Sequence, residues 1–399
     1  MQLRTKYVIL ARRQQVKKLT AGDEEVDISK FKSATVAGMF VNPFEEYRPQ
    51  TAFEFLVVRL MEVAESIYGN RIELHDKLPK PFDGAVEVED LLKLMKPDLE
   101  RMRQNSLAVS SANKTKSSQA LFTWLGQSCS LIQISGINFL TDPIMSDHLL
   151  NKVMGPKRLI KSPMTLDDIK YATNDNLDFV LVSHDHPDHL ELDVAKKIGN
   201  STTWIVPLGL KKKLARKGIY KIIEMDWWDS VDLSPYISNT TDKYEIVCVP
   251  AMHWSGRYII DSNKSLWCSF IIRRNGKSLV YHAGDTGYAA DLFKVIGKKY
   301  GPVSLGLLPI GQYCPSWHQK PRHISPEESM KIYSDLSIKY MKGVHWGTFK
   351  LSGEPILEPK FLLEKLAKEC GKEAMVKVPE FGLTYVYDLE KESETELHV

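Results

Sequence analysis

The 399-residue chain lacks any run of about 18 apolar residues, the length that a membrane-spanning helix requires. A spanning helix is therefore excluded, and any membrane contact is expected to be peripheral. The chain also lacks an excess of charge, because its 53 basic residues are nearly balanced by 50 acidic ones. Nucleic acid is accordingly not an expected partner, since no polyanion-binding field extends over the protein.

Cysteine is scarce, and the distribution of the cysteines indicates in which cellular compartment the protein functions. The cysteines are odd in number and widely spaced, mostly within apolar or aromatic runs: Cys129, Cys248, Cys268, Cys314 and Cys370. This pattern argues against the disulfide framework of a secreted protein. We therefore expect an intracellular protein that is not secreted. Its 43% hydrophobic content is ample for a buried core.

The chain has no internal repeat, and low complexity is confined to the segment SSANKTKSSQ at 110–119. This predicted linker separates a basic N-terminal segment with a helical extension, 1–109, from a catalytic domain, 120–399. Apolar residues at helical spacing predict helices within 51–70 and 88–104. These helices could dock on a membrane or form a dimer interface, or they could be ordinary core.

The first 20 residues carry basic side chains and no acidic ones. The basic residues include Arg4, Lys6, Arg12, Arg13, Lys17 and Lys18. Such a segment could direct the chain to mitochondria or lie on an anionic bilayer. A solvated basic tail is the alternative.

After the linker, the pattern changes to strands and crossover helices. Residues 120–143 alternate in polarity and predict antiparallel strands ending at Asp142. Further strands are predicted within 178–183, 202–207, 244–253, 277–285, 304–310 and 340–346. Helical stretches follow His189, Tyr288 and Pro326. The predicted class is therefore α/β, with sheets enclosed by helices.

A dense histidine and aspartate cluster follows the buried strand of residues 178–183. The segment SHDHPDHL contains His184, His186, Asp188 and His189. His184 and His186 point the same way along an extended chain, whereas Asp188 and His189 follow Pro187, where the chain can turn. Imidazole and carboxylate without nearby cysteine favour Zn²⁺, with iron or manganese as alternatives.

Three residues downstream extend this cluster. His253, Asp285 and His345 each lie at or near the end of a predicted strand, where loops gather polar side chains over a rigid sheet. With the upstream cluster, they form a candidate ligand set for two metal ions. Such a set predicts metal-assisted hydrolysis.

Many short blocks between residues 120 and 387 resemble one family. They are TWLGQSCSLIQ, FLTDPI, MGPKRLIKSP, VPLGLKK, MDWW, AMHWSGR, LWCSF, HAGDTGY, PIGQY, HISPEES and HWGTF. The histidine and aspartate pattern resembles the metallo-β-lactamase superfamily, and the blocks resemble its N-acylphosphatidylethanolamine-hydrolysing phospholipase D family. The resemblance implies a four-layer αβ/βα sandwich and a membrane-associated homodimer.

The resemblance also implies an activity and a ligand assignment. The activity is hydrolysis of N-acylphosphatidylethanolamine to N-acylethanolamine and phosphatidic acid, by attack of a hydroxide held between two Zn²⁺ ions. One ion would be held by His184, His186 and His253, the other by Asp188, His189 and His345, with Asp285 bridging. Asp188, Asp285 and His323 are the catalytic candidates.

Two residues near these ligands have predicted supporting roles. Asp142 could accept the free N–H of a ligating histidine, or it could be a turn aspartate before Pro143. His323 precedes a predicted helix with Ser325 as its N-cap and Glu328 completing a capping box. The resemblance implies that His323 contacts the substrate head group, either binding phosphate or protonating the leaving alcohol. A merely solvated histidine is the alternative.

The remaining substrate-binding candidates adjoin ligands in the matched blocks. Trp254, Tyr288, Gln312 and Tyr313 could wall the cleft, although ordinary packing is the alternative for each. Arg257 could pair with a phosphate or with an internal carboxylate.

Two positions depart from the family pattern. Gln127 replaces a histidine that is common in relatives, and Pro187 replaces the tyrosine of animal members. Neither is a predicted ligand, but Pro187 bears on acyl-chain preference. Because fold does not determine function, two rival hypotheses remain. One is another hydrolase of this fold, such as a lactonase, a thioesterase or a different phosphodiesterase. The other is a membrane-organising protein that has retained the fold.

Overall fold

The computed structural model describes residues 26–51, 53–54, 57, 60, 92–107, 119–149, 155–237, 242–389 and 393–397. The basic N-terminal segment, most of the helix predicted within 51–70 and nearly all of the predicted linker lie outside the described residues. Within the described part, no helix has both the length and the apolarity needed to cross a membrane.

The structure contains a small hairpin and two large mixed sheets. The hairpin pairs β1 (Ala34–Val36) with β2 (Met39–Val41). The first large sheet contains β3 (Gln119–Gly126), β4 (Cys129–Ile134), β5 (Ile137–Thr141), β6 (Phe179–Leu181), β7 (Thr203–Pro207), β8 (Ile222–Met225), β16 (Thr384–Asp388) and β17 (Ser393–Leu397). Its order is β17-β16-β3-β4-β5-β6-β7-β8.

The second large sheet repeats the plan of the first. It contains β9 (Ser230–Asp232), β10 (Tyr244–Val249), β11 (Ser269–Arg274), β12 (Lys277–His282), β13 (Val303–Pro309), β14 (Ile338–Val344) and β15 (Val376–Lys377), in the order β15-β14-β13-β12-β11-β10-β9. In both sheets an antiparallel half meets a parallel half. The parallel connections carry helices, as such crossovers require.

Helices flank both large sheets, and all but the first of them lie between strands of the parallel halves. They are α1 (Leu99–Leu107), α2 (Leu166–Ala172), α3 (Leu192–Ile198), α4 (Lys211–Ala215), α5 (Ala290–Tyr300), α6 (Ser316–Gln319), α7 (Pro326–Asp335) and α8 (Glu358–Glu369). Short 3₁₀ turns form at Ser29–Phe31 and Ile259–Asp261. The helices predicted after His189, Tyr288 and Pro326 are α3, α5 and α7.

Both faces of the first sheet are buried, because successive side chains along its strands pack alternately into two different apolar clusters. Phe179 and Leu181 of β6 join the larger apolar cluster, which includes residues of both sheets. Val180 and Val182 join a second cluster that includes residues of α1 and α2. This arrangement confirms the predicted α/β sandwich. No disulfide bond joins any two cysteines of the described residues.

The strands that precede the predicted ligands end at one edge of the sandwich. β10 and β12 are both antiparallel to β11, so they run in the same direction, and β14 runs parallel with them through β13. His253, Asp285 and His345 therefore follow these strands at the same edge. The structure thus places these three residues just after strand ends, and their role as metal ligands remains a prediction.

The extension before the linker differs in part from its prediction. Residues 92–98 are not helical, and Leu94 forms an isolated bridge with Phe381. Proline disfavours a helical conformation in the residue before it, so Pro97 prevents the helix from starting earlier. Asp98 then accepts the Arg101 N–H at 2.9 Å as an N-cap.

The described extension packs on the catalytic part of the chain. Met102 of α1 is buried, and Ser106 accepts a hydrogen bond from Gln133 of β4 at 2.7 Å. Asn42 donates to the backbone oxygen of the predicted ligand His253 at 2.6 Å. The strand β3 already begins at Gln119, the last residue of the predicted linker. The predicted division into domains remains a prediction.

Candidate metal centre

The loop after β6 places its polar side chains in the interior. His184 and His189 are almost fully buried, and His186 and Asp188 are 8% and 9% exposed. Burial of so many polar groups is costly unless they are hydrogen-bonded or bind a cation. The seven predicted ligands lie in two groups that share Asp285.

The first group contains three histidines and Asp285. His186 Nδ1 lies 2.8 Å from His184 Nε2 and 3.2 Å from His253 Nε2. Asp285 Oδ2 lies 4.0 Å from His184 Nε2 and 3.7 Å from His253 Nε2. These atoms converge on one point and could hold one ion.

The second group contains two histidines and two carboxylates. His189 Nε2 lies 3.1 Å from His345 Nε2, and each of these atoms lies 3.5 Å from Asp188 Oδ2. Asp285 reaches both histidines, with Oδ2 at 3.2 Å from His189 and Oδ1 at 3.0 Å from His345. These atoms could hold a second ion.

Both groups fit a divalent cation. Donors in a tetrahedral zinc site lie about 3.3 Å apart, given bonds of roughly 2.0 Å. The spacings within each group scatter around this value. Asp285 Oδ1 is also buried, and although His345 Nε2 lies 3.0 Å away, no described residue is placed to donate a well-directed hydrogen bond to it. An oxygen of this kind is suited to a cation.

Neighbouring acceptors orient two of the histidines in the first group. His253 Nδ1 lies 2.8 Å from the backbone oxygen of Arg322, and His184 Nδ1 lies 2.9 Å from Ser183 Oγ. A carbonyl oxygen can only accept, so His253 carries its proton on Nδ1. Its Nε2 is left with a lone pair that points into the group.

Asp142 supports the second group. Its Oδ2 lies 2.9 Å from His189 Nδ1 and 2.9 Å from His282 Nε2, and its Oδ1 accepts the Ser183 N–H at 2.7 Å. Burial alone would raise the pKa of Asp142, but His282 and His189 outweigh it and lower the pKa to about 2. The carboxylate is thus ionised and holds His189 with Nε2 toward Asp285. These contacts match the predicted supporting role.

The second group contains two carboxylates that favour positive charge on their neighbours. Burial raises the pKa of Asp285, but His189 and His345 outweigh it and hold that pKa well below its usual range. Burial lowers the pKa of His345, but Asp285 and Asp188 outweigh it and raise that pKa to about 9. Two carboxylates therefore attract positive charge to this group, and a divalent cation would balance them.

His323 lies beside the two donor groups. Its side chain is 5% exposed, its Nδ1 is 3.6 Å from Asp285 Oδ2, and its ring centroid is 5.0 Å from that of His253. The following helix α7 has the predicted capping box of Ser325 and Glu328. The structure therefore brings His323 to the metal groups.

The aromatic candidates fall into two sets. The Trp254 ring lies 4.2 Å from that of His186, so it borders the first group. Tyr288 instead donates to Asp335 at 2.8 Å, and Tyr313 donates to Glu358 at 2.6 Å. These contacts favour a packing role for both tyrosines.

Gln312 and Arg257 have different surroundings. Gln312 shares a cavity of about 20 Å³ with His345, and its Oε1 is buried without a hydrogen-bond partner among the described residues. Arg257 Nε lies 3.5 Å from Asp185 Oδ1, and its guanidinium donates to the backbone oxygen of Leu190. The internal-carboxylate alternative is thus favoured for Arg257.

Sequence reasoning missed several residues of the centre. The side chain of Gln127 lies between Asp188 and His345, while His282 and Ser183 contact Asp142. His282 lies within the strand predicted at 277–285, three residues before Asp285, a position that could have drawn attention to it. For Gln127, the sequence showed only that a glutamine replaces the histidine that is common at this position in relatives.

Comparisons with known proteins agree with this geometry. Residues 137–346 match the family model of the β-lactamase superfamily domain. A metallo hydrolase from Ignicoccus hospitalis aligns with a TM-score of 0.51 and 25% identity, covering 67% of this chain and 98% of that one. The fold and the site therefore define a metal-dependent hydrolase of the β-lactamase superfamily, and the chain is an enzyme.

Sequence similarity identifies the family within this superfamily of hydrolases. A protein of Saccharomyces cerevisiae named "N-acyl-phosphatidylethanolamine-hydrolyzing phospholipase D, mitochondrial" is 42% identical over 90% of this chain and 78% of its own length. A relative from Caenorhabditis elegans, named as the same kind of phospholipase, is 37% identical over 64% of this chain and 72% of its own length. The chain belongs to the N-acylphosphatidylethanolamine-hydrolysing phospholipase D family. The family resemblance is confirmed, and similarity to the yeast protein covers more than the expected two-thirds of the chain.

Proposed function

We propose that this protein hydrolyses N-acylphosphatidylethanolamine to N-acylethanolamine and phosphatidic acid with two Zn²⁺ ions. The observation that carries the proposal is the pair of convergent donor groups that share Asp285, in a chain of this family. Such a pair of ions, when bound, lowers the pKa of water to about 7 and neutralises charge on a phosphate.

The protein's own residues have distinct roles in this proposal. His184, His186 and His253 would hold one ion, while Asp188, His189 and His345 would hold the other. Asp285 belongs to both donor groups and would be shared between the two ions. Because the ligands are buried, their orientation is set before the substrate arrives.

His323 acts on the phosphodiester. Its Nδ1 is 3.6 Å from Asp285 Oδ2 and has no hydrogen-bond partner among the described residues. We assign it to bind a phosphate oxygen or to donate the proton that the departing N-acylethanolamine oxygen requires. In the reaction a water oxygen bonds to phosphorus, the bond to the N-acylethanolamine oxygen breaks, and the proton ends on that alcohol.

The lipid substrate requires a surface that meets a bilayer. Tyr258 and Ile260 are 66% and 80% exposed, and they follow Arg257, whose guanidinium contacts the loop of Asp185 and Leu190. Exposed apolar side chains close to the ligand loop suit peripheral membrane contact. The name of the yeast relative and the basic N-terminus support a mitochondrial location, and the family resemblance supports a homodimer.

Product analysis tests the proposal. The purified full-length protein is incubated with vesicles of phosphatidylcholine that contain N-acylphosphatidylethanolamine, and the lipids are identified by mass spectrometry. We expect equal amounts of N-acylethanolamine and phosphatidic acid, loss of both with a chelator and recovery with Zn²⁺. Vesicles of phosphatidylcholine alone are the control. Phosphatidic acid without N-acylethanolamine would assign a different head group, and turnover unaffected by the chelator would refute the role of the metals.

A further inference from the structure

The backbone of Gln127 is fixed beside the second metal group. Its N–H donates to Thr348 Oγ1 at 2.6 Å, and its carbonyl oxygen accepts from Trp124 Nε1 at 2.8 Å and from the His345 N–H at 3.0 Å. The residue is 1% exposed and has a φ of 51°. A non-glycine residue in this conformation is uncommon, and here several hydrogen bonds hold it.

The side chain of Gln127 reaches into the second metal group. Its Nε2 lies 2.8 Å from Asp188 Oδ2 and 2.8 Å from His345 Nε2. Both atoms belong to proposed ligands of the same ion.

An ion in the second group changes what Gln127 can bind. His345 Nε2 would then direct its lone pair to the metal, so it could no longer accept from Gln127. Asp188 has a second lone pair on the oxygen that binds Gln127, and a second oxygen besides. The amide N–H can therefore keep its bond to Asp188 when the ion is present.

We propose that Gln127 is a positioning residue for the second metal ion, acting through Asp188. This inference rests on the proposed function. The amide donor fixes the rotation of the Asp188 carboxylate and adds no charge to a group that already holds two carboxylates. Hydrogen-bonded partners of this kind typically raise metal affinity about 10–100-fold.

The test measures metal binding to the full-length protein. We expect Gln127→Met, which has similar volume and no donor, to weaken binding of one Zn²⁺ about 10–100-fold in chelator competition and to leave the other ion in place. When Co²⁺ replaces Zn²⁺, the absorption spectrum of Gln127→Met should resemble the spectrum of Asp188→Asn. This likeness would identify the second metal site as the one affected. Gln127→His, which restores a donor, should recover most of the affinity.

Gln133→Met is the matched control, because Gln133 is a buried glutamine that binds Ser106 and Asn138 instead of a proposed ligand. It should bind both ions as the wild type does. Two ions bound to Gln127→Met with wild-type affinity would overturn the inference, as would equal weakening in Gln133→Met. A wild-type protein that binds fewer than two ions would instead refute the proposed function.

Discussion

Strand β14 and the residue after it carry two buried basic groups, which differ in the number of carboxylates that face them. Lys342 is fully buried, and its Nζ lies 3.1 Å from Glu394 and 3.7 Å from the centre of the Tyr385 ring. His345, three residues later, faces Asp188 and Asp285. One basic group thus meets one carboxylate, and the other meets two.

The pKa values of these groups shift in opposite directions. Burial lowers the pKa of Lys342 to about 8 despite the opposing effect of Glu394. At His345 the two carboxylates outweigh burial and raise the pKa to about 9. The difference shows how a structural ion pair is distinguished from a binding site. At Lys342 one buried carboxylate supplies the balancing charge, whereas at the metal centre two carboxylates require positive charge from protons on His189 and His345 or from a bound cation.

Replacing Asp285 should give the largest effect, because this carboxylate belongs to both donor groups. For Asp285→Asn we expect phosphodiesterase activity to fall by more than about 100-fold, beyond the usual cost of losing a supporting residue. Metal content should fall at both sites. Activity assays with elemental analysis of the purified variant check this prediction. Unchanged turnover and unchanged metal content would contradict the dinuclear site.

Replacing Asp142 should have an intermediate effect, because it contacts His189 instead of the proposed ion. We expect Asp142→Asn to weaken metal binding about 10–100-fold at the second site, since an amide lacks the charge that orients His189. Chelator competition measures this loss. Asp178→Asn is the control, because Asp178 accepts the Asn138 N–H at the start of β5, far along the strand from Asp142. Equal weakening by both variants would indicate a general effect on the fold.

Replacing Lys342 should change stability and leave activity unaltered. In the folded protein Lys342 loses its proton near pH 8, but in the unfolded chain it does so near its usual pKa of 10.5. Between these values the unfolded chain binds more protons, so the folded state gains stability as pH rises. Relative to Lys342→Met, the wild-type free energy of unfolding should increase by roughly 1–3 kcal/mol from pH 7 to pH 10.

Denaturant titrations of both proteins at the two pH values measure this difference and cancel the contributions of other groups. Glu394 remains paired with Lys377 at 2.8 Å in the variant, so no isolated carboxylate is created. The folded variant should keep wild-type turnover at pH 7. A difference in stability that does not change with pH would show that Lys342 is not perturbed as described.

Local patterns predicted part of the fold. Alternating and continuous apolar runs located β3 to β7, β10 and β12 to β14, but no strand was predicted at β1, β2, β8, β9, β11 or β15 to β17. The prediction was wrong for residues 92–98, where helical spacing was present but Pro97 set the start of the helix. Periodicity reports which side chains are apolar, whereas backbone restrictions decide where a helix can begin.

The sequence predicted which residues could donate electron pairs to the metal ions, but it did not predict most of the side chains that contact them. The sequence by itself determined which residues could bind metal, because histidine and aspartate at these spacings are a local chemical property. Only the tertiary structure decided that Asp142 meets His189 and His282, that Arg257 pairs with Asp185, and that Gln127 lies between Asp188 and His345. Gln127 and His345 are distant in sequence, and they meet because the first sheet packs against the second. Contacts of this kind depend on how the two sheets are placed, which no local pattern encodes.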